Sequence, residues 1–273
     1  GGIYLPHLRN AVYRHLIAAD KLLDRALGRP ETWVEAKADD FNFDGRSEVQ
    51  LANDKLSVLL APAEGGRMYE FDVRSIFHNL LATMTRRPEA YHRKVLAGGG
   101  HYGGQCASIH DRVVCKQQGL DQRIQYDSYL RKSLIDLFYD HDVSLQAVAS
   151  GQAAQRGDFV GAVYEARLRR NPDRIQVQLS RQGNAGGVPL RLTKAVTLSA
   201  GSSTLEIAYL LEDLPPQQQF HFAVELNFAG LPAGADDRYF HDAQQRRLGQ
   251  LGTRLDLSEV RELGLVDEWL GIN

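Results

Sequence analysis

The fold is decided by residues 55–73, which read KLSVLLAPAEGGRMYEFDV. Residues 55–60 and 68–73 are rich in β-branched, aromatic and alternating apolar side chains, which is typical of β-strands. Residues 61–66 contain one proline and two glycines, which is typical of a turn. Two strand-like runs joined by a short turn predict a pair of antiparallel strands.

The same two-residue period continues on both sides of this hairpin. Further strand-like runs cover residues 33–36, 48–51, 175–179, 190–198, 204–211 and 220–228. Turn residues separate these runs at positions 53–54, 184–187, 199–201 and 215–216. Many short strands at this spacing predict a mainly β protein, an antiparallel β-sandwich or barrel, and argue against βαβ units.

One helix is predicted before the strands, over residues 5–27. Its apolar side chains recur every three or four positions and form one stripe, which consists of Leu5, Leu8, Val12, Leu16, Ala19, Leu23 and Ala26. Charged residues such as Arg9, Lys21 and Asp24 are expected on a solvated side. Gly28 and Pro30 end the helix. We therefore predict an N-terminal helix in residues 1–30, a β-sandwich domain in residues 31–273, and a stripe left partly uncovered.

Composition excludes several classes of function. The chain has 273 residues, 43% of them hydrophobic and 24% charged, with a net charge of −2. Nucleic acids and anionic membranes require a concentrated basic field, so neither is an expected partner. Two cysteines, Cys106 and Cys115, are too few for a disulfide scaffold. With no apolar run near the roughly 20 residues of a membrane span, we expect a cytoplasmic protein.

The sharpest local motif is a candidate calcium loop. Asp40, Asn42 and Asp44 are followed by Gly45, and Glu48 stands at the ninth position. Oxygen side chains at alternate positions before a glycine are typical of calcium loops. An EF-hand is excluded because Leu51 occupies the twelfth position and the flanks are strand-like. Ca²⁺ is the candidate cofactor, and a metal-free Asx turn is the alternative.

Nine short stretches form an ordered set over almost the whole chain. They are GIYLPHLR (2–9), DFNFDGR (40–46), NDKL (53–56), GGRMYEFDV (65–73), TRRPEAYH (85–92), SIHD (108–111), SLID (133–136), VELNFA (224–229) and LGLVDEW (263–269). Their order and number resemble the carboxy-terminal half of the α-amylases and 4-α-glucanotransferases of glycoside hydrolase family 57.

The resemblance implies a galactose-mutarotase-like supersandwich within a longer parent enzyme. Such a parent carries an amino-terminal (β/α)₇ barrel with a Glu nucleophile and an Asp acid, then a helical segment, then the sandwich. In the family, the string at residues 2–9 follows the catalytic region. The catalytic motifs are therefore expected upstream of this chain, and the first helix is expected to be a remnant of the helical segment. The family sandwich usually continues past residues 267–269, so the far end is expected to be clipped as well.

The expected function is a non-catalytic sandwich that packs on the catalytic barrel and contacts a starch-like chain or maltodextrin. Sugar binding needs an exposed aromatic platform beside hydrogen-bonding groups. Trp33, Trp269, Tyr102 and Tyr126 are the candidates, and core packing is the alternative for each of them. Tyr102 lies in a glycine-rich loop, residues 97–104. Whether the parent hydrolyses or transfers glucan is decided in the barrel.

An independent aldose-1-epimerase-like enzyme is the alternative function, because mutarotases use a His acid and a Glu base. His221 and Glu225 share one face of a predicted strand, where they would stand about 13 Å apart, which is too far to hold one sugar ring. His110 with Glu225 is the remaining pair. Otherwise Glu225 is a paired acid within the sandwich and His110 a turn residue bonded to Asp111.

Overall fold

The chain begins with a helix and continues mainly as strands. The computed structural model describes residues 4–96, 119, 124–229 and 231–273. Helix α1 spans Pro6–Ala26, as the apolar period predicts. The fixed φ of Pro6 suits the first turn of a helix, and Gly28, at a φ of +68°, follows its end. Two short helices, α2 (His92–Leu96) and α3 (Leu145–Ala149), were not predicted.

The strands of the described residues form four antiparallel sheets. The first has the order β1-β2-β3-β4-β5, and the second has the order β10-β9-β8-β7. A third pairs β11 with β6, and a fourth has the order β13-β12-β14. Their bounds are β1 (Val34–Asp39), β2 (Glu48–Asn53), β3 (Leu56–Ala61), β4 (Arg67–Val73), β5 (His78–Asn79), β6 (Ile135–Tyr139), β7 (Glu165–Arg170), β8 (Arg174–Ala185), β9 (Val188–Ser199), β10 (Leu205–Glu212), β11 (His221–Glu225), β12 (Arg238–Asp242), β13 (Arg247–Gln250) and β14 (Leu263–Asp267).

The two larger sheets share one hydrophobic core. Leu51 and Leu60 from the first sheet, and Val177 and Leu192 from the second, are fully buried in the same cluster. Strand β8 alternates buried and less buried residues, because successive side chains point to opposite faces. The prediction of a mainly β antiparallel sandwich preceded by one N-terminal helix is confirmed.

Turn chemistry fixes the register of the longest hairpin. Gly186 and Gly187, at φ values of +57° and +83°, connect the paired residues Ala185 and Val188. Two consecutive positive φ values are what a type I′ hairpin turn requires, and glycine adopts them without steric strain.

A buried amide joins the turns of the two larger sheets. Asn53 is fully buried, and its Nδ2 donates to the carbonyls of Ser199 (2.6 Å) and Ser202 (2.8 Å). Its Oδ1 accepts from the backbone N–H groups of Lys55 and Leu56. The turn between β2 and β3 is thereby tied to the turn after β9.

The contacts divide the chain into two units. One consists of Gly1–Thr83 with Lys132–Asn273, and the other of Met84–Arg131. Helix α1 and all four sheets belong to the first unit. In the second, Asp127 accepts from the Arg86 N–H (2.7 Å) and from Arg131 Nε (2.9 Å). Burial opposes its ionisation, but these hydrogen bonds prevail and hold the pKa of Asp127 at about 2. The domain boundary at residue 30 stays a prediction.

Several predicted residues lie outside the described part of the chain, namely Tyr102, Cys106, His110 and Cys115. Of the helices that the structure describes, none combines the length and apolar character that a bilayer crossing requires.

Candidate functional site

Helix α1 turns its polar side toward the sheet. Arg9 Nε donates to the Ala82 carbonyl (3.0 Å), and Lys21 Nζ donates to the Arg74 carbonyl (3.1 Å). The Asp24 carboxylate forms an ion pair with the Arg74 guanidinium. The expectation that Arg9, Lys21 and Asp24 face solvent is therefore wrong, because hydrogen bonds and an ion pair with residues that follow β4 and β5 hold this side of the helix against the protein.

The apolar stripe of α1 faces the other way. Leu5, Leu8, Val12, Leu16 and Leu23 are between 42% and 60% exposed. Ile17 lies between Asp24 and Lys21 on the inward side of the helix and is buried. The prediction of a partly uncovered stripe is confirmed. A helix with its polar side inward and its apolar side outward has the polarity expected of an interface.

A cleft lies beside the start of α1. Its volume is about 530 Å³, within the usual range for ligand pockets of roughly 300–1,000 Å³. Four separate stretches of the chain line it, contributing Pro6, His7, Asn10, Ala11, Arg14, Ile76, Phe77, His78, Pro232, Arg238, Trp269 and Leu270. These lining residues include no Asp or Glu.

Trp269, one of the predicted sugar-binding aromatics, stands at this cleft. Its side chain is 76% exposed, so the alternative of core packing does not apply to it. The Arg238 guanidinium carbon lies 5.8 Å from the centre of its ring. Arg238 is oriented by ion pairs with Asp237 (2.6 Å) and Asp267 (3.0 Å), so its charge is already compensated.

Among the described residues, two buried polar atoms of side chains that line the cleft have no hydrogen-bond partner, His78 Nε2 and Asn10 Oδ1. His78 is only 4% exposed. Burial lowers the pKa of His78, although a hydrogen bond with the Ala229 backbone and the charge of Asp267 oppose that shift. The imidazole is therefore neutral at pH 7, with one nitrogen able to donate and the other able to accept.

Sequence reasoning did not find Asn10 or His78. Asn10 lies inside a helical pattern and His78 follows a turn, and neither belongs to a motif. Both residues line the cleft because α1, β5 and the chain around Trp269 come together there, although Asn10 and Trp269 are 259 positions apart in the sequence. No local signal marks that convergence.

The other described aromatic candidates are not among the residues that line this cleft. Trp33 is half-buried, with the guanidinium carbons of Arg29 and Arg74 at 4.2 Å and 5.5 Å from its ring, beside a separate cavity of about 170 Å³. Tyr126 belongs to the second unit, where its hydroxyl lies 3.2 Å from His92 Nδ1. The structure therefore does not bring Trp33 and Trp269 into one site.

The alternative catalytic pair is not favoured. Glu225 ends strand β11, and its Oε1 accepts a hydrogen bond from Asn227 Nδ2 (2.7 Å). Glu225 is therefore a hydrogen-bonded acid within the sandwich, which is the alternative to a catalytic role that the sequence left open. Its proposed partner, His110, lies outside the described residues, so the pairing stays a prediction.

The candidate calcium residues form a hydrogen-bonded turn. Both oxygens of Asp40 accept backbone N–H groups, from Asp44 (3.0 Å) and Gly45 (2.9 Å). Asn42 Oδ1 accepts from Asp44 N–H (2.9 Å), while its Nδ2 donates to Glu48 Oε1 (3.2 Å). No group of three or more His, Cys, Asp or Glu in the described ranges is arranged to hold a metal ion. As arranged, the donors fit the metal-free turn, and Ca²⁺ would require Asn42 to turn its oxygen inward.

Calcium binding stays a prediction with a direct test. If the loop binds Ca²⁺, calcium at a hundred times its dissociation constant should stabilise the chain by about 2.7 kcal/mol and raise its melting temperature by about 5 °C. Thermal melts in calcium and in chelator measure the shift, and Asp40→Asn should abolish it. Superimposable melting curves in calcium and in chelator would contradict calcium binding by this loop.

A buried acid pair lies beneath α1. Asp72 is 5% exposed, and within the described ranges its Oδ1 has no hydrogen-bond partner. Burial raises the pKa of Asp72 to about 9, reinforced by the charge of Glu70 and a hydrogen bond with it, and opposed by Arg74. Asp72 therefore keeps its proton at neutral pH and donates a hydrogen bond to Glu70.

Folding then takes up a proton over a defined pH range. An unfolded Asp loses its proton near pH 4, whereas folded Asp72 holds it up to about pH 9, so stability falls as pH rises between these values. Asp72→Asn, which mimics the protonated acid, should increase the free energy of unfolding at pH 8 by about 1–3 kcal/mol and flatten its pH dependence. Urea unfolding at pH 5 and pH 8 measures both effects. The exposed Asp173→Asn is the control, and equal pH slopes for Asp72→Asn and the native chain would contradict the prediction.

Comparisons with known proteins agree on one kind of relative. The family model described as "Alpha-amylase/4-alpha-glucanotransferase, C-terminal" matches residues 40–273. Alpha-amylase 1 of Dictyoglomus thermophilum is 29% identical over 90% of this chain and 34% of its own length. The 4-alpha-glucanotransferase of Thermococcus kodakarensis is 30% identical over 84% of this chain and 32% of its own length.

A solved structure gives the same picture. The crystal structure of 4-alpha-glucanotransferase from Thermococcus litoralis matches with a TM-score of 0.67 and 26% identity, over 89% of this chain and 33% of that chain. The chain thus spans about one third of the length of the relatives that it matches.

Proposed function

Because the chain belongs to the C-terminal family of α-amylases and 4-α-glucanotransferases, we propose that it is the non-catalytic β-sandwich of an α-glucan-acting enzyme. In this role it packs on a catalytic barrel and contacts a starch-like or maltodextrin chain. The enzyme would act in the cytoplasm. The observation that carries the proposal is the reversed polarity of α1, whose apolar stripe faces outward.

The chemistry of the cleft supports a binding role. Glycoside hydrolysis needs two carboxyl groups, about 5–5.5 Å apart for retention or about 6.5–9.5 Å apart for inversion. The residues described around the cleft include neither Asp nor Glu. A cleft with an exposed tryptophan and polar side chains but no carboxyl group can hold a sugar but cannot supply the acid and the nucleophile.

The outward stripe supports docking on a larger body. Leu8 and Leu16 are 42% and 57% exposed, and burying such side chains stabilises an interface by about 25 cal/mol per Å² of apolar surface. Since the relatives are about three times as long as this chain, the remaining two thirds of such an enzyme provides the partner surface. The barrel is the body proposed to cover the stripe.

The docking face is tested with Leu8→Ser/Leu16→Ser. In the 273-residue chain this variant should bind less hydrophobic dye, with a free energy of unfolding within about 0.5 kcal/mol per site of the native value, because the side chains are exposed. In the complete enzyme it should lower the melting temperature and the rate of maltoheptaose conversion. The 273-residue chain alone should release no product from maltoheptaose.

Leu214→Ser is the matched control, since Leu214 is also an exposed leucine (43%) but lies off the helix. It should reduce dye binding slightly and leave the complete enzyme unchanged. Equal behaviour of the two variants in the complete enzyme would remove the docking role. Robust hydrolysis or transfer by the 273-residue chain would overturn its assignment as non-catalytic.

A further inference from the structure

The cleft beside Trp269 combines three features on one surface. It has an aromatic platform, because Trp269 leaves 76% of its side chain exposed. Two of its lining side chains carry buried polar atoms that have no partner in the described part of the chain, His78 Nε2 and Asn10 Oδ1. It is also bordered by the guanidinium of Arg238, whose position is fixed by Asp237 and Asp267. Each feature indicates one property of the ligand that would bind there.

The platform selects a flat ligand with a weakly apolar face. A large aromatic side chain is usually buried, because its apolar area gains free energy on leaving water. Trp269 gains that burial when a ligand stacks on its ring. A pyranose ring presents such a face, formed by its axial C–H groups.

The two atoms without partners, His78 Nε2 and Asn10 Oδ1, indicate a ligand with hydroxyl groups. A buried polar atom without a hydrogen bond is destabilising, and His78 is 96% buried, being 4% exposed. Asn10 Oδ1 is an acceptor and needs a donor. His78 Nε2 needs a donor or an acceptor according to its tautomer, and a hydroxyl is both. A polyol therefore satisfies the two atoms whichever tautomer is present.

Charge argues against an anionic ligand. The cleft contains the cationic side chains of Arg14 and Arg238, but two carboxylates already compensate Arg238. Asn10 Oδ1 would repel an anion, and so would His78 Nε2 in the tautomer in which this nitrogen is the acceptor. An uncharged ligand fits this combination.

We propose that this cleft is a sugar-binding subsite, in which one glucose unit of an α-glucan stacks on Trp269 and places hydroxyls against Asn10 Oδ1 and His78 Nε2. The subsite holds the chain and performs no bond cleavage. This inference rests on the proposed function for the identity of the sugar, and it names residues and a position that the proposed function leaves open.

The test uses the two tryptophans of the chain as reporters. In Trp33→Phe, Trp269 is the remaining tryptophan, so its fluorescence reports on the cleft alone. Maltoheptaose should cause a saturable change, and cellohexaose should cause a weaker one. Asn10→Leu should raise the dissociation constant about tenfold, as expected for one lost hydrogen bond. Asn10→Asp, which keeps an oxygen acceptor, should retain most of the affinity.

Titration calorimetry on the unmodified chain gives the same constant without a reporter. Trp269→Ala should abolish the heat, and Tyr126→Ala should leave it unchanged. Melting curves identify any variant that fails to fold. His78→Phe removes the ring nitrogens of His78, and if it does not fold, Asn10→Leu still tests the subsite. Absence of saturable binding overturns the subsite, as does binding that Trp269→Ala and Asn10→Leu leave intact. A fluorescence change with sodium phosphate but not with maltoheptaose overturns it in favour of an anion site. None of these results alters the Leu8→Ser/Leu16→Ser outcome, so failure of the subsite is distinguishable from failure of the docking role.

Discussion

Replacing Lys194 with methionine is expected to lower the free energy of unfolding by about 3–5 kcal/mol, because it leaves a carboxylate buried without its counter-ion. Lys194 and Asp136 are inside the sandwich, with 0% side-chain exposure on both partners and 2.7 Å between Nζ and Oδ2. Lys194 Nζ also donates to the carbonyls of Gly65 (2.9 Å) and Leu134 (2.8 Å). All three ammonium donors are therefore used.

The carboxylate is satisfied as completely as the ammonium. Tyr164 donates to Asp136 Oδ2 (2.7 Å) and Tyr209 donates to Oδ1 (3.0 Å). Burial, reinforced by the charge of Asp136, raises the pKa of both tyrosines, so they remain donors throughout the ordinary pH range. Burial lowers the pKa of Lys194, and the charge of Asp136 opposes that shift. The network joins β6, β9 and β10 to the turn before β4.

A double-mutant cycle separates this network from simple packing. Asp136→Asn should also be costly, because it leaves the ammonium of Lys194 without its charged partner. The double variant Asp136→Asn/Lys194→Met should be less destabilised than the sum of the single variants, because neither charge remains. Equilibrium urea unfolding at pH 7 provides the values.

The surface pair Arg174–Glu206 is the control, with side-chain exposures of 49% and 58%. Exposed ion pairs contribute about 0–1 kcal/mol, so Glu206→Gln should change stability by no more than that. If Lys194→Met costs as little as Glu206→Gln, the buried network is not a stabilising element.

Replacing Gly65 with alanine is the second large effect, and we expect a loss of more than about 3 kcal/mol or failure to fold. Gly65 has a φ of +78°, and a Cβ atom there would lie 2.1 Å from the Val160 carbonyl oxygen. The Gly65 N–H also donates to the Ala162 carbonyl (2.7 Å). Because the obstacle is backbone held by a hydrogen bond, neither side can yield without displacing the loop or the turn.

The variant Gly187→Ala measures the cost of the backbone conformation without the clash. The φ of Gly187, +83°, is nearly the same as that of Gly65, but a Cβ at Gly187 would meet no atom of the described residues within 4 Å. Gly187→Ala should therefore cost only about 1–2 kcal/mol, for the left-handed conformation of a non-glycine residue. Thermal melting of both variants measures the difference. A similar loss of stability in the two variants would show that close approach at Gly65 is unimportant.

Local signals in the sequence determined the elements of the fold. The period of 3.6 located α1, and the period of two located the strands around the turn at residues 61–66, because side chains on one face must be apolar to be buried. Turn residues at positions 184–187 located a break between two strands, and the structure places a tight hairpin there, since two positive φ values in succession strongly favour glycine. The ordered family strings also identified the chain as an amylase-type C-terminal sandwich, which the family match bears out.

The direction in which α1 faces was decided only by the tertiary structure. The helical period separates an apolar side from a polar side, but it does not say which side a partner covers. Arg9, Lys21 and Asp24 find hydrogen-bonding groups at the edge of the sheet, so the polar side packs inward. The stripe is left for another surface, which no pattern inside the helix specifies.

The same holds for the groups that matter most to stability and binding. Lys194 and Asp136 are ordinary charged residues in the sequence, and 58 positions separate them. Asn10, His78 and Trp269 come from three distant segments. The sequence determined which residues form strands and helices, because that depends on neighbours along the chain. Only the tertiary structure decided which polar groups meet in the interior and which remain without partners at a cleft, because burial and pairing depend on contacts between segments that are far apart in the chain.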